Sequence, residues 1–154
     1  MKILVFLLLT LTFVSANAKN IGLVSNKESG KVQFAVNEIE KVLKEKGIEP
    51  ASFSISELNR MRTGQTNIIL FSLNEKVASS LIKKAGIKNT AELKEEGFLI
   101  HKSGQGQKTI YVLGYDEAGT MYGGLEVAEI IKVNGIDAVQ NQLQNAYLVP
   151  RTFM

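Results

Sequence analysis

The first apolar stretch of the chain covers residues 3–14 and is broken only by Thr10 and Thr12, with Lys2 just before it. Ser15-Ala16-Asn17-Ala18 follows, and the chain then turns polar. A basic start, an apolar run and small residues where a signal peptidase reads are the three parts of a secretory leader. The pattern predicts residues 1–18 as a signal peptide, cleaved between Ala18 and Lys19. A membrane-spanning helix needs about 20 apolar residues, more than this run supplies. The abrupt turn to polar residues also speaks against a core strand or helix.

Beyond the leader the hydrophobic pattern alternates between two periods. Residues 21–24 form a short apolar run that reads as a first strand. From about residue 28 to residue 46, Val32, Ala35, Val36, Ile39, Val42 and Leu43 recur at the spacing of one buried helix face. Glu38, Lys41, Lys44 and Glu45 fall on the opposite side, and Gly47 stands where a left-handed helix end is usual. Residues 51–55 suggest a second strand, and residues 56–61 a helical turn.

Ile68-Ile69-Leu70-Phe71, within residues 67–73, is a continuous apolar run of strand length, the pattern of a strand buried on both faces. Asn74 is then expected to cap a helix reaching about Ala85, with Val77, Ala78, Leu81 and Ile82 inward and Gly86 ending it. A further helical turn is expected at residues 90–95. Two β-prone runs, residues 97–101 and 109–113, flank the glycine-rich Ser103-Gly104-Gln105-Gly106-Gln107, which predicts a hairpin. Asp116 opens a last helix to about Val133, with Ala118, Met121, Leu125, Ala128 and Ile131 on one face. The amide-rich residues 140–145 are expected to be poorly ordered. This order predicts an α/β (α+β) fold: a mixed β-sheet with amphipathic helices packed on it, and a β-hairpin followed by a C-terminal helix.

Composition narrows the classes. No linker, repeat or low-complexity tract divides the chain, so residues 19–135 are expected to be one domain and 136–154 a C-terminal tail. With 45% hydrophobic residues, a figure raised by the leader, a core is within reach at this length. The net charge of +3 falls by one when Lys2 is removed, and no basic run or Lys/Arg-aromatic patch remains. Nucleic acid is therefore not an expected partner. The chain has no cysteine, which excludes disulfides, thiolate metal sites, thiol nucleophiles and lipid attachment through cysteine. The expected location is the periplasm or the cell exterior, with no membrane association after cleavage.

Candidate chemistry is sparse. His101 is the only histidine and lies in the first hairpin strand, with Leu99 on its face and Phe98 and Ile100 on the other. It has no HExxH partner for zinc and no serine in a Gly-x-Ser-x-Gly elbow, so it reads as an ordinary strand residue. Two carboxylates suffice for glycoside cleavage, but Glu126 with Glu129, and Glu95 with Glu96, read as solvated charges. Gly104-x-Gly106 joins strand to strand and lacks a third glycine, so it reads as a turn and not a phosphate cradle.

Residues 114–124 are more informative. Asp116 is placed as an N-cap and Glu117 adds charge that suits the helix's positive end. Gly119, Gly123 and Gly124 each cost a helix up to ~1 kcal/mol relative to alanine. They predict a very close approach of this helix to the sheet or to another surface, against which Tyr122 is expected to pack. No catalytic, cofactor-binding or metal-binding residue is assigned.

Glu96-Gly97-Phe98-Leu99-Ile100, Thr109-Ile110-Tyr111-Val112-Leu113-Gly114 and Asp116-x-x-Gly119-x-x-Tyr122-Gly123 together resemble the N-terminal domain of certain glycoside hydrolases, the α-glucuronidases and β-N-acetylhexosaminidases. The similarity extends more loosely to residues 35–43 and so covers most of residues 20–133. In those families this α/β domain is non-catalytic and precedes a (β/α)8 catalytic barrel that carries the acidic residues. The resemblance implies a glycan-related accessory domain with a barrel, and a glycan, as expected partners, but no cofactor and no glycosidase activity of its own. Leu148-Val149-Pro150-Arg151 is similar to the approach to that barrel, and Met154 follows, so a truncated or partial product is expected. The alternative is a free-standing periplasmic binding or interaction module.

Overall fold

The computed structural model describes residues 20–60, 65–103 and 108–145. The signal peptide, the hairpin's glycine turn and the barrel approach within residues 146–154, all expected from the sequence, lie outside the described residues. Strands β1 (Ile21–Ser25), β2 (Ala51–Ser54), β3 (Thr66–Ser72), β4 (Phe98–Ser103), β5 (Thr109–Gly114) and β6 (Gln142–Gln144) make one sheet in the order β2-β1-β3-β5-β4-β6. β2, β1, β3 and β5 run parallel, and β4 is antiparallel to both β5 and β6. The sheet is therefore mixed.

Helices cover both faces because the central strands are apolar on both. Ile68 and Leu70 of β3 join one core with Ile21, Leu23, Ile110 and Val112, while Ile69 and Phe71 join the other with Val24, Tyr111 and Leu113. Helices α1 (Gly30–Glu45) and α3 (Glu117–Asn134) close the first core. The shorter α2 (Ala78–Ala85) and the 3₁₀ segment Ile55–Arg60 close the second. All six apolar positions read for α1 are buried. Its cap is Ser29, whose hydroxyl accepts the Val32 amide, and Gly47 takes φ 73° just beyond its end.

Two elements differ from the sequence pattern. Asn74 does not cap α2: the helix begins at Ala78 behind Val77, with no side-chain cap, because residues 74–77 are held in turns by Glu75. The Glu75 amide donates to the Ser72 carbonyl and the Ala78 amide to the Glu75 carbonyl. The second difference is β6, which stands within the amide-rich stretch expected to be poorly ordered. It completes the open edge of β4, and Leu143 packs into the second core. Asn145 ties its end down, accepting the Lys94 amide and donating to the Glu92 carbonyl. Among the described residues no helix is long and apolar enough to cross a membrane.

Candidate functional site

The parallel strands β1, β2, β3 and β5 all end at one edge of the sheet, at Ser25, Ser54, Ser72 and Gly114. From β1 the chain passes into α1 on one face, and from β3 into α2 on the other. In open α/β sheets such a divergence leaves a crevice beyond the strand ends, where ligands commonly bind. Here the loops enclose a groove of about 1070 Å³, lined by Lys31, Ser56, Glu75, Lys76, Glu96 and Glu117 among others. Its charges are mixed, with no run of one sign.

Local chain chemistry commits two of the groove's carboxylates, Asp116 and Glu75, to the backbone. The Asp116 carboxylate caps α3 through Oδ1, which accepts the Gly119 amide at 2.8 Å. Its Oδ2 accepts the Glu96 amide at 3.2 Å, which pins the loop before β4, where Glu96 takes φ 59°. Glu75 Oε1 accepts the Ser72 amide at 3.2 Å at the end of β3. Burial raises the Glu75 carboxyl above its ordinary value, with the Glu117 charge adding to the effect and the Ser72 amide opposing it. The Thr120 hydroxyl, fully buried, reaches the carbonyls of both Phe71 and Asp116.

The glycines of α3 are set by close approach. A side chain at Gly119 would overlap the Gly97 carbonyl, so the first turn of α3 lies on the backbone that enters β4. A Cβ at Gly123 would lie 2.7 Å from Val112 Cγ1, and one at Gly124 2.7 Å from Ala35 Cβ. The helix thus touches the sheet through Gly123 and α1 through Gly124. Tyr122, expected to pack against the same surface, is 43% exposed.

The segment from Asp116 to Gly124 is therefore a helix start locked to a hairpin by glycine contacts. The family model described as glycosyl hydrolase family 67 N-terminus matches residues 12–126. The chain belongs to this family. Among solved structures it is similar to a GH138 enzyme targeting pectin rhamnogalacturonan II, at 25% identity and TM-score 0.54. It shares its fold with CpGH84D at 18% identity and TM-score 0.56. The matches cover 81% and 80% of this chain but only 15% and 19% of those chains. The chain thus spans less than a fifth of the length of either relative. No curated protein matches.

Within this family 67 N-terminal domain the sequence-derived candidates do not converge. Glu126 and Glu129 lie on α3 away from the strand-end groove, with Glu129 3.9 Å from Lys132 in an exposed pair. Glu96 borders the groove, whereas Glu95 is not among its lining residues. Gly104 and Gly106 lie outside the described residues. Among the described residues no group of three His, Cys, Asp or Glu side chains could hold a metal ion.

His101 stands at the far side of the second core. Its Nε2 lies 3.1 Å from the Ala85 carbonyl at the end of α2, and its ring is 6.4 Å from Tyr111. The sequence pattern placed His101 on the Leu99 face correctly, but not at the end of α2. Neither did it show Glu75 and Glu117 meeting across the groove, since 42 positions separate them and only the strand order joins β3 to β5.

Proposed function

We propose that this domain is a non-catalytic accessory unit of carbohydrate processing that works beside a glycosidase catalytic domain. Family membership supports the carbohydrate setting, and the small share of each relative that the chain spans supports an accessory position. The observation that carries the non-catalytic reading is the state of Asp116. It is a carboxylate at the strand-end groove, and both of its oxygens hold backbone amides. Hydrolysis of a glycoside needs two carboxyl groups flanking the scissile bond, one of them free to give or take a proton. A carboxylate with both oxygens taken by amide donors serves as a cap.

Export is part of the same proposal. Its support is the basic start, apolar run and small-residue site within residues 1–18, and extracellular polysaccharide is the corresponding substrate class. The full 154-residue chain is expected to release no nitrophenol from a panel of aryl glycosides, including β-N-acetylglucosaminide and α-glucuronide. Turnover that survives Asp116→Asn and Glu75→Gln but tracks the purified chain would also contradict the proposal.

A further inference from the structure

A second cavity, separate from the strand-end groove, opens between the end of α2, β4 and β6. It has a volume of about 410 Å³, within the ~300–1,000 Å³ usual for small-ligand sites. Leu99 and Leu143 are its apolar floor, and Lys88, Asn89, His101 and Asn141 supply polar groups around it. The residues that build it come from three separate places in the chain, and only the pairing of β6 on β4 brings them together.

The imidazole is oriented by its contact with the end of α2. A carbonyl oxygen only accepts, so the contact with the Ala85 carbonyl places the hydrogen on Nε2. In the uncharged ring Nδ1 is then an acceptor, and among the described residues no side chain or amide occupies it. Asn141 extends the β6 ladder by one step, its Oδ1 accepting the Lys102 amide at 2.7 Å, which leaves its NH₂ group to donate. The Asn89 carboxamide offers one donor and one acceptor group, and its backbone is fixed at φ 64°. The cavity thus offers neighbouring donors and acceptors over an apolar floor.

Charge selects among ligands. No carboxylate lines the cavity, and Lys88 is its one cationic residue among the described lining. Lys88 is exposed, where water and salt screen its charge, so it gives an anion little preference over a neutral ligand. Hydroxyl groups both donate and accept, and a pyranose ring presents an apolar C–H face beside them. We propose that this cavity binds a neutral sugar unit, with its C–H face on Leu99 and Leu143 and its hydroxyls on His101 Nδ1, Asn89 and Asn141. The preference for a sugar over another neutral polyol rests on the accessory-domain reading; the cavity's shape and donors do not.

The test is a titration of the full ¹⁵N-labelled chain, followed by NMR, with xylotetraose, cellotetraose, chitotetraose in its N-acetylated form, and tetragalacturonate. Saturable shifts confined to Lys88, Asn89, Leu99, His101, Asn141 and Leu143 are expected with at least one neutral sugar, and weaker ones or none with tetragalacturonate. Asn89→Gly keeps the left-handed backbone and removes only the carboxamide. It is expected to weaken binding about fivefold, the size of one hydrogen bond. Asn141→Ala, judged by the same spectrum for intact folding, is expected to do the same. Three results would overturn the proposal: no saturable shift in the cavity with any neutral sugar, binding of tetragalacturonate alone, or unchanged affinity in Asn89→Gly. None of these bears on aryl-glycoside turnover, so this site and the non-catalytic reading fail separately.

Discussion

At the scale of single residues, Gly119 and Glu75 carry the clearest consequences. Gly119 sits in the first turn of α3, where its hydrogen faces the Gly97 carbonyl. Alanine there gains up to ~1 kcal/mol of helix propensity, but the added methyl meets backbone on a rigid hairpin and cannot be absorbed by a side-chain rotation. Gly119→Ala is therefore expected to destabilise the domain by about 3 kcal/mol, the upper part of the overpacking range. Urea unfolding measures this, and a midpoint equal to that of the parent would show that α3 can lift from β4 at no cost.

Glu75 has the opposite sign. Its carboxyl is raised in the folded state by burial and by Glu117, so the folded chain holds that proton more tightly than the unfolded chain. The stability it contributes is complete below the ordinary carboxyl range and is lost as pH rises through the folded value. Glu75→Gln keeps an oxygen for the Ser72 amide and removes the charge. The variant is expected to melt above the parent at neutral pH, by up to about 1 kcal/mol because a half-buried charge is screened by water. The difference should vanish in acid. A constant difference across pH would exclude ionisation as its cause.

At the scale of elements, legibility in the sequence followed how much of each signal was local. α1 was readable because six buried positions repeat on one stripe, and β3 because a two-sided strand needs an unbroken apolar run. The hairpin strands and α3 were readable from alternation and from Asp116. α2 was misplaced at its start because an asparagine before an apolar run looks like a cap, while the Glu75 side chain makes residues 74–77 a turn. β6 was not read as a strand because only Leu143, among Gln142, Leu143 and Gln144, is apolar. Its conformation is imposed by the open edge of β4, a tertiary cause that no local window contains.

That dependence can be measured. A chain ended after Ala138 loses Val139, which is fully buried, as well as Leu143 and the Asn145 tether. Full burial of Val139 and partial burial of Leu143 are together worth roughly 2 kcal/mol, and the truncated chain is expected to lose about that much stability in urea. Amide exchange at Leu99, which faces Leu143, should quicken with it. Unchanged exchange would mean that β6 adds nothing to the sheet.

At the scale of the molecule, the mixed sheet with helices packed on it was anticipated, while the placing of helices on both faces and the two cavities described above were not. The strand-end groove exists because β1 and β3 are neighbours although β2 lies between them in sequence, and the His101 cavity exists because β6 returns to β4. Each is a product of strand order. Residue types alone pointed to His101, Glu126 and Glu129 as separate curiosities, and beside His101 the strand order builds a cavity that combines donors, acceptors and an apolar floor.

The sheet's margins have one more effect. Its outermost strands are β2, with four residues, and β6, with three. Exposed strand edges recruit other chains into shared sheets, and very short ones blunt that tendency. A unit bordered this way can be held at high local density, tethered to a large neighbour or crowded on a polymer surface, without its copies annealing into aggregates.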